Sequence, residues 1–482
     1  MAEAIPDEWK WRAPAMSEGA WRGLSRVLQH PYAPRYNRTM GDRVGAEELE
    51  ALARFRVDVE ASALESELDP SPRTVAFVEA LRDRVPLLGR LPRGFDVARD
   101  FVELPTTGRD DLAQRLEWLV PLDLPVDDAI VYSTSATTGH AVIVPSHPTA
   151  MVQNLAHLER VAALHGLRIE ASEGEPYALN ATMQRQTYVF ATTMSGWSGA
   201  VFVKLNLAEH DWAGGADARA RFLRDFAPAF VASEPVTLAE AMRLELPIAP
   251  KLVVSSAVHL SAAQAGQIEA SWGAKVVDLY STTETGPIAV SLPGVEGHAV
   301  LLPDVYVEAL DAEGRRVPDG ERGEITVTGG RNRYLPLLRY RTGDHGRLGS
   351  AVLPDGRRCR TILELEGRSP IHFLGDEGRI VGSVDIARRI RPLAPFVQHQ
   401  LHQRVDGSVE LRLRPLPGVP IPLVDFEQCL KELFGSKTPV SVLLDASLGS
   451  EGGKVVAWRN DAGRREAERS AAGRSEAIKP GG

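Results

Sequence analysis

From about residue 128 the chain alternates short apolar runs with helix-like segments. No other feature restricts its fold as much. Strand candidates fall at 129–133, 188–192, 229–232, 252–255 and 275–279, with helix candidates between them at 149–165, 216–225, 237–244 and 262–271. A strand, a helix and a second strand close best as a parallel pair with the helix packed over it. The expectation is an α/β chain with a largely parallel sheet covered by helices.

The flanks read differently. Residues 1–75 look mainly helical, with apolar periodicity from Ala46 to Leu68. Pro70 and Pro72 then separate a second helical run, 75–84. Residues 302–366 read as strands with turn signals at 311–314, 318–320 and 354–356, consistent with a smaller β subdomain. After Gly367-Arg368 comes a small α+β unit, with helices near 383–390 and 424–434 and strands near 397–402, 408–413 and 439–444. The expected division is a large N-terminal domain over 1–367, a small C-terminal domain over 368–460 and a disordered tail over 461–482.

A chain of 482 residues fits roughly three domains, or one large and one small. Its net charge of −9, with no basic block, argues against a general nucleic-acid binder. The two cysteines, Cys359 and Cys429, lack a CxxC partner, so neither a disulfide framework nor a zinc site is indicated. The polar, acidic start does not read as a signal peptide, and no apolar run reaches membrane-spanning length. A cytoplasmic enzyme with no membrane partner is expected. The chain has 8 lysines against 47 arginines, so a lysine in a chemically suggestive place carries weight.

Three segments could carry chemistry. Ser133-Thr134-Ser135-Ala136-Thr137-Thr138-Gly139 follows an apolar strand candidate, and such a turn offers N–H and O–H donors to phosphate oxygens. A solvated Ser/Thr loop reads the same way, and the Walker pattern is missing. Tyr280-Ser281-Thr282-Thr283-Glu284 stands at the end of another strand candidate, where open α/β sheets bind ligands. Glu284 suits Mg²⁺, Thr283 a phosphate, and Tyr280 offers a flat face to a base. Ser and Thr before Glu is also a helix-capping pattern. Tyr340-Arg341-Thr342-Gly343-Asp344 places a carboxylate after a Gly turn, able to accept two ribose hydroxyls, and equally readable as the end of a hairpin.

In this order and spacing, the segments resemble those of the adenylate-forming superfamily, most of all its phenylacetate–coenzyme A ligase branch. Residues 134–139 resemble the family's phosphate loop, 280–284 its Tyr-Gly-x-Thr-Glu motif and 340–344 its Tyr-Arg-Thr-Gly-Asp motif. Leu104-Pro105-Thr106-Thr107-Gly108-Arg109-Asp110-Asp111-Leu112 is similar to the branch's leading segment, and Leu335-Pro336-Leu337-Leu338-Arg339 to its approach to the ribose motif. Glu366-Gly367-Arg368 resembles the hinge, and Glu451-Gly452-Gly453-Lys454 the loop of the catalytic lysine.

The resemblance implies a two-step reaction. A small carboxylic acid attacks the α-phosphate of ATP, then an acceptor thiol, coenzyme A or a carrier protein, displaces AMP. It implies Thr134, Ser135, Thr137, Thr138 and Gly139 around the phosphates, with Thr283 and a Mg²⁺ ion at Glu284. It places Ser256, Ala257, Tyr280, Ser281, Thr282, Asp344 and Arg368 around the nucleotide. Lys454 bridges the carboxylate and α-phosphate, and the small domain is mobile about the hinge. Met194, Trp197 and Val258 line the acyl pocket, which suits an aromatic acid, although 193–197 also reads as a packed strand and turn. A homodimer is the expected assembly.

Departures from the family pattern open alternatives. Ala136 replaces a usual Gly, His140-Ala141-Val142 the usual Lys-Pro-x, Ser281 a usual Gly and Ser256-Ala257 a frequent Gly-Glu. Pro370 stands where many relatives have a hinge Asp. They leave room for adenylation with a different outcome, giving a carrier-protein thioester, an amide, or nitrite activated for diazo formation. A non-catalytic nucleotide-binding relative is the remaining alternative.

Overall fold

The computed structural model describes residues 4–62, 70–125, 127, 129–133, 142–352, 356, 358–367, 371–449 and 455–462. The phosphate-loop candidates Thr134, Ser135, Ala136, Thr137, Thr138 and Gly139, the hinge residues Arg368 and Pro370, Lys454, and most of the 461–482 tail lie outside them.

The expected parallel sheet forms from five short strands. They are β3 (Pro176–Thr182), β5 (Ala200–Asn206), β6 (Phe230–Ser233), β7 (Leu252–Ser256) and β8 (Lys275–Thr282). They run parallel in the order β8, β7, β6, β3, β5, and β4 (Phe190–Met194) closes that edge antiparallel to β5. Leu179, Val231 and Val253 fill one face beside Phe222 and Leu238, and Val254 and Val277 fill the other beside Val161 and Trp197. Burying each such side chain contributes roughly 1.5–3 kcal/mol.

The candidate strand at 129–133 belongs elsewhere. It forms β1 (Ile130–Ser133) and pairs antiparallel with β2 (Ile143–Ser146) in a two-stranded ribbon apart from the main sheet. The nine residues 134–142 between them are fewer than a parallel crossover needs.

The strands expected over 302–366 also form, and they are not set apart. β9 (Gly286–Val290) folds back on β8, and β10 (His298–Val300) pairs with β9. β11 (Val305–Leu310), β12 (Arg322–Gly329), β13 (Leu337–Val352) and β14 (Arg358–Glu366) continue through the β10–β14 pairing. Among the described residues one twelve-stranded sheet thus runs from β11 to β4, parallel in one half and antiparallel in the other.

The small C-terminal unit has its own core. β15 (His372–Leu374) and β16 (Ile380–Gly382) form a ribbon. β17 (Phe396–Gln403), β18 (Val409–Pro415), β19 (Val440–Leu444) and β20 (Trp458–Asn460) form a four-stranded sheet. Helices Ser383–Ile390 and Leu423–Phe434 complete it around Phe373, Leu401, Leu411, Phe426 and Phe434. The unit docks where Val397 and Leu416 meet Val236 and Ala239. Gln267 Nε2 donates to the Pro417 carbonyl at 2.9 Å, and Arg388 pairs with Glu364 at 2.6 Å. Among the described residues no helix is long and apolar enough to cross a membrane.

Candidate active site

The two tyrosine-led segments meet. Tyr280 is the sixth residue of β8, and its ring is buried beside Ile288, Val300 and Ile325. Its hydroxyl donates to Asp344 Oδ2 at 2.9 Å and to Thr342 Oγ1 at 3.3 Å. Burial first, and the Asp344 charge second, push the Tyr280 phenol well above its ordinary pKa, so it stays a donor. Thr342 hydrogen-bonds the Ile325 carbonyl, and the Gly343 N–H donates to Glu324. These bonds hold the chain at Gly343, whose φ of +82° suits glycine. Asp344 is therefore fixed within β13, not on a turn at a hairpin end.

Glu284 lies in the turn between β8 and β9, so the 280–284 segment is a strand end and hairpin, not a capped helix start. Its Oε1 accepts from Tyr340 Oη at 3.2 Å and stands 3.9 Å from the Arg109 guanidinium. Burial first, and Glu284 second, push the Tyr340 phenol far up. Glu284 is buried and Thr283 exposed; among the described residues nothing hydrogen-bonds Glu284 Oε2. Thr282 Oγ1 accepts from the Thr285 N–H at 3.1 Å and tightens the turn.

The leading segment is stitched to the ribose motif. The Thr107 N–H donates to the Arg339 carbonyl, the Arg341 N–H returns to the Thr107 carbonyl, and Thr107 Oγ1 donates to the Leu338 carbonyl at 2.8 Å. This clip places Arg109 beside Glu284. Tyr132, Val142 and Val144 share an apolar cluster with Tyr340, so both flanks of the undescribed segment 134–141 reach the same place. Gly367, which leads into Arg368, is so near that an added Cβ would stand 3.4 Å from Asp344 Oδ1.

Ser256 pairs with Leu279, which puts Ser256, Ala257 and Val258 beside Tyr280 and Ser281. Ala257 adopts the left-handed region, with φ of +72°.

Met194 and Trp197 are not brought to this end. Trp197 packs edge-on against Phe230 and Tyr177, and its Nε1 donates to Glu159 at 2.9 Å. Phe230 is in register with Leu252 and through it with Lys275, which begins β8. Tyr280 lies five residues further on, roughly 16 Å at strand spacing. Trp197 lines instead a far-end cleft of about 320 Å³ with Arg56, Glu159 and Arg168.

Three residues of this site had no role in the sequence reading. Tyr340 and Arg109 were visible only as letters of a motif; their contact with Glu284 is long-range. Arg331 had no signal at all. It is buried, holding the Thr285 and Pro287 carbonyls at 2.9 Å each and pairing with Asp304 at 2.7 Å, so it braces the Glu284 turn from behind.

No family model matches the chain. It is 26% identical to the phenylacetate–coenzyme A ligase of Aromatoleum evansii over 288 residues, 56% of this chain and 61% of that protein. That match spans less than two thirds of the relative's length. To the phenylacetate–coenzyme A ligase of Escherichia coli (strain K12) it is 25% identical over 418 residues, 78% of this chain and 89% of that one. A crystal structure of 2-hydroxyisobutyryl-CoA ligase in the postadenylation state superposes with a TM-score of 0.59 at 15% identity, covering 88% of this chain and 91% of that one. The superposition shows that the chain has the α/β fold of that ligase structure. Its sequence is similar to those of phenylacetate–coenzyme A ligases.

Proposed function

We propose that the protein is an ATP-dependent, AMP-forming ligase that adenylates a small carboxylic acid and passes the acyl group to a thiol, coenzyme A in the first instance. The observation that carries this reading is the Tyr280–Asp344 hydrogen bond. It joins two motifs of separate strands at one corner, with Glu284 and Arg109 beside it. Phenylacetate, the acid in the names of the curated relatives, makes aryl acids the first class to try.

In the first step a carboxylate oxygen bonds to the α-phosphorus of ATP, and the bond to pyrophosphate breaks. In the second a thiolate sulfur bonds to the acyl carbon, and AMP leaves. Asp344 accepts from the ribose hydroxyls. Ser256, Ala257, Tyr280, Ser281 and Thr282 border the nucleotide, and Val258 borders the acyl group. Thr134, Ser135, Thr137, Thr138, Gly139 and Thr283 donate to phosphate oxygens, and Lys454 stabilises charge between carboxylate and α-phosphate. Arg368 also binds the nucleotide in this reading.

Among the described residues no cluster of three or more His, Cys, Asp or Glu could hold a metal. A Mg²⁺ ion that travels with ATP does not need one, because it takes one or two carboxylates and fills its shell with phosphate oxygens and water. Glu284, buried with Oε2 unpaired among the described residues, fits that role; the ion when bound neutralises phosphate charge. The division into an adenylation domain over 1–367 and a smaller lid over 368–460 belongs to the same proposal.

Pyrophosphate release with a panel of aryl and alkyl acids and nitrite, with and without coenzyme A, tests it. We expect acid-dependent release, faster with coenzyme A and abolished in Lys454→Ala. Release indifferent to coenzyme A would move the acceptor to a carrier protein or an amine. ATP binding with no release on any acid would sink the enzymatic reading.

A further inference from the structure

We infer that Arg414 is a positioning residue for the adenylation step, working as a latch with Glu240; the inference rests on the adenylating function proposed above. Helix Pro235–Arg243 starts just beyond β6, at the end of the sheet where Ser256 and Tyr280 lie. Glu234 caps it, accepting from the Val236 and Thr237 N–H groups at 2.8 Å each. Two turns in, Glu240 is 5% exposed and faces the small unit. Its Oε2 takes Arg243 at 2.7 Å, and its Oε1 takes Arg414 of β18.

Arg414 is itself 4% exposed, and its second nitrogen Nη1 donates to the Leu448 carbonyl at 3.0 Å. Leu448 closes a turn on Asp445, whose N–H is anchored on the Leu413 carbonyl. Gly449 follows with φ of +84°, and a Cβ there would stand 3.2 Å from Val455 and 3.6 Å from Val236. The chain between Gly449 and Val455 carries Lys454. One guanidinium therefore ties together a strand of the small unit, a helix of the large one, and the carbonyl at the start of the lysine-bearing segment.

A buried charge pair is costly to break one partner at a time. It is also made only while the small unit rests on this helix. A contact present in one of two arrangements biases the equilibrium between them and contributes nothing to the other. Loss of the latch should slow the step that needs Lys454 and spare the step that does not. A fork is required: lysine can keep the charge against Glu240 but cannot also hold Leu448 in the same geometry.

The test measures both half-reactions on the full-length protein, using phenylacetate, or the fastest acid of the panel, and its chemically made acyl-adenylate. In Arg414→Met and Glu240→Gln, kcat for acid-dependent pyrophosphate exchange falls ~10- to 100-fold, as expected for a displaced catalytic group, with KM for ATP within about twofold. Transfer from the preformed acyl-adenylate to coenzyme A stays within about twofold, and Arg414→Lys recovers part of the exchange rate. Glu240→Gln is isosteric and keeps the test open if Arg414→Met does not fold. Equal losses in both half-reactions, or none in either, overturn the latch. Wild-type protein that exchanges no pyrophosphate with any acid overturns the adenylating function instead.

Discussion

The Tyr280 hydroxyl fixes which way Asp344 points. It donates to Oδ2, and because burial and the carboxylate both oppose its ionisation, it goes on donating at any pH an assay would use. Tyr280→Phe removes that bond without emptying the space the ring fills among Ile288, Val300 and Ile325. We expect KM for ATP to rise ~3- to 10-fold, with kcat changed less and stability lowered by about 1 kcal/mol, the net worth of one hydrogen bond. Pyrophosphate exchange against ATP concentration reads it directly, and an unchanged KM would mean that Asp344 is held by other contacts. Asp344 and Glu284 were legible in the sequence because each ends a motif with its own chemistry. Arg331 and the Glu240–Arg414 pair were not. Their partners lie far off along the chain, and in an arginine-rich sequence one more arginine carries no signal.

Among elements, the site is built by one strand and one loop that must stay in register. β13 carries Tyr340 and Asp344, and Thr107 clips the segment before Arg109 to it through both backbone and side chain. Buried Arg339 reinforces the clip: it binds Glu308 at 3.1 Å and the Leu104 carbonyl at 3.0 Å, and donates to the Val102 carbonyl as well. Thr107→Val keeps the shape and deletes the hydroxyl. It should cost about 1–2 kcal/mol of stability, with Arg109 less firmly held and ATP bound more weakly. Thermal unfolding and ATP titration measure the two effects; a variant as stable as the parent would show that the backbone bonds suffice. Element prediction worked best where apolar runs were bounded by turns, as at β7 and β8. It missed β3 and β5, whose apolar runs are short and end at Asn180 and Lys204. It also set the later strands apart as a subdomain. A sequence shows that strands exist but not that β14 will pair with β10, which joins the two halves.

The two halves of the large sheet are pinned by a buried ionic joint, and it contributes to how the whole molecule responds to acid. His157, on helix Pro148–Leu164 and 1% exposed, shares Asp304 with Arg331; His157 Nε2 is 3.1 Å from Asp304 Oδ1 and Arg331 Nε 2.7 Å from Oδ2. Burial first, and the Arg331 charge second, hold His157 below its ordinary range despite Asp304. The unfolded chain takes up a proton near pH ~6.5 that the folded chain refuses, so this contribution is complete above that pH and shrinks as pH falls below it. Burial pushes the Asp304 carboxyl up, but Arg331 and then His157 outweigh it and bring it down to about 2. Its contribution, on the order of 2 kcal/mol, is present above pH ~4 and is lost as pH falls toward 2. This joint should therefore lower stability in two stages, the first from His157 as pH falls below ~6.5 and the second below pH ~4 from Asp304. Guanidinium unfolding midpoints across this range measure it. His157→Gln, which keeps a donor toward Asp304 but cannot titrate, should shrink the first stage, which His399 shares because burial holds it low as well, and leave the second. An identical first stage in the variant would place that acid sensitivity outside this joint.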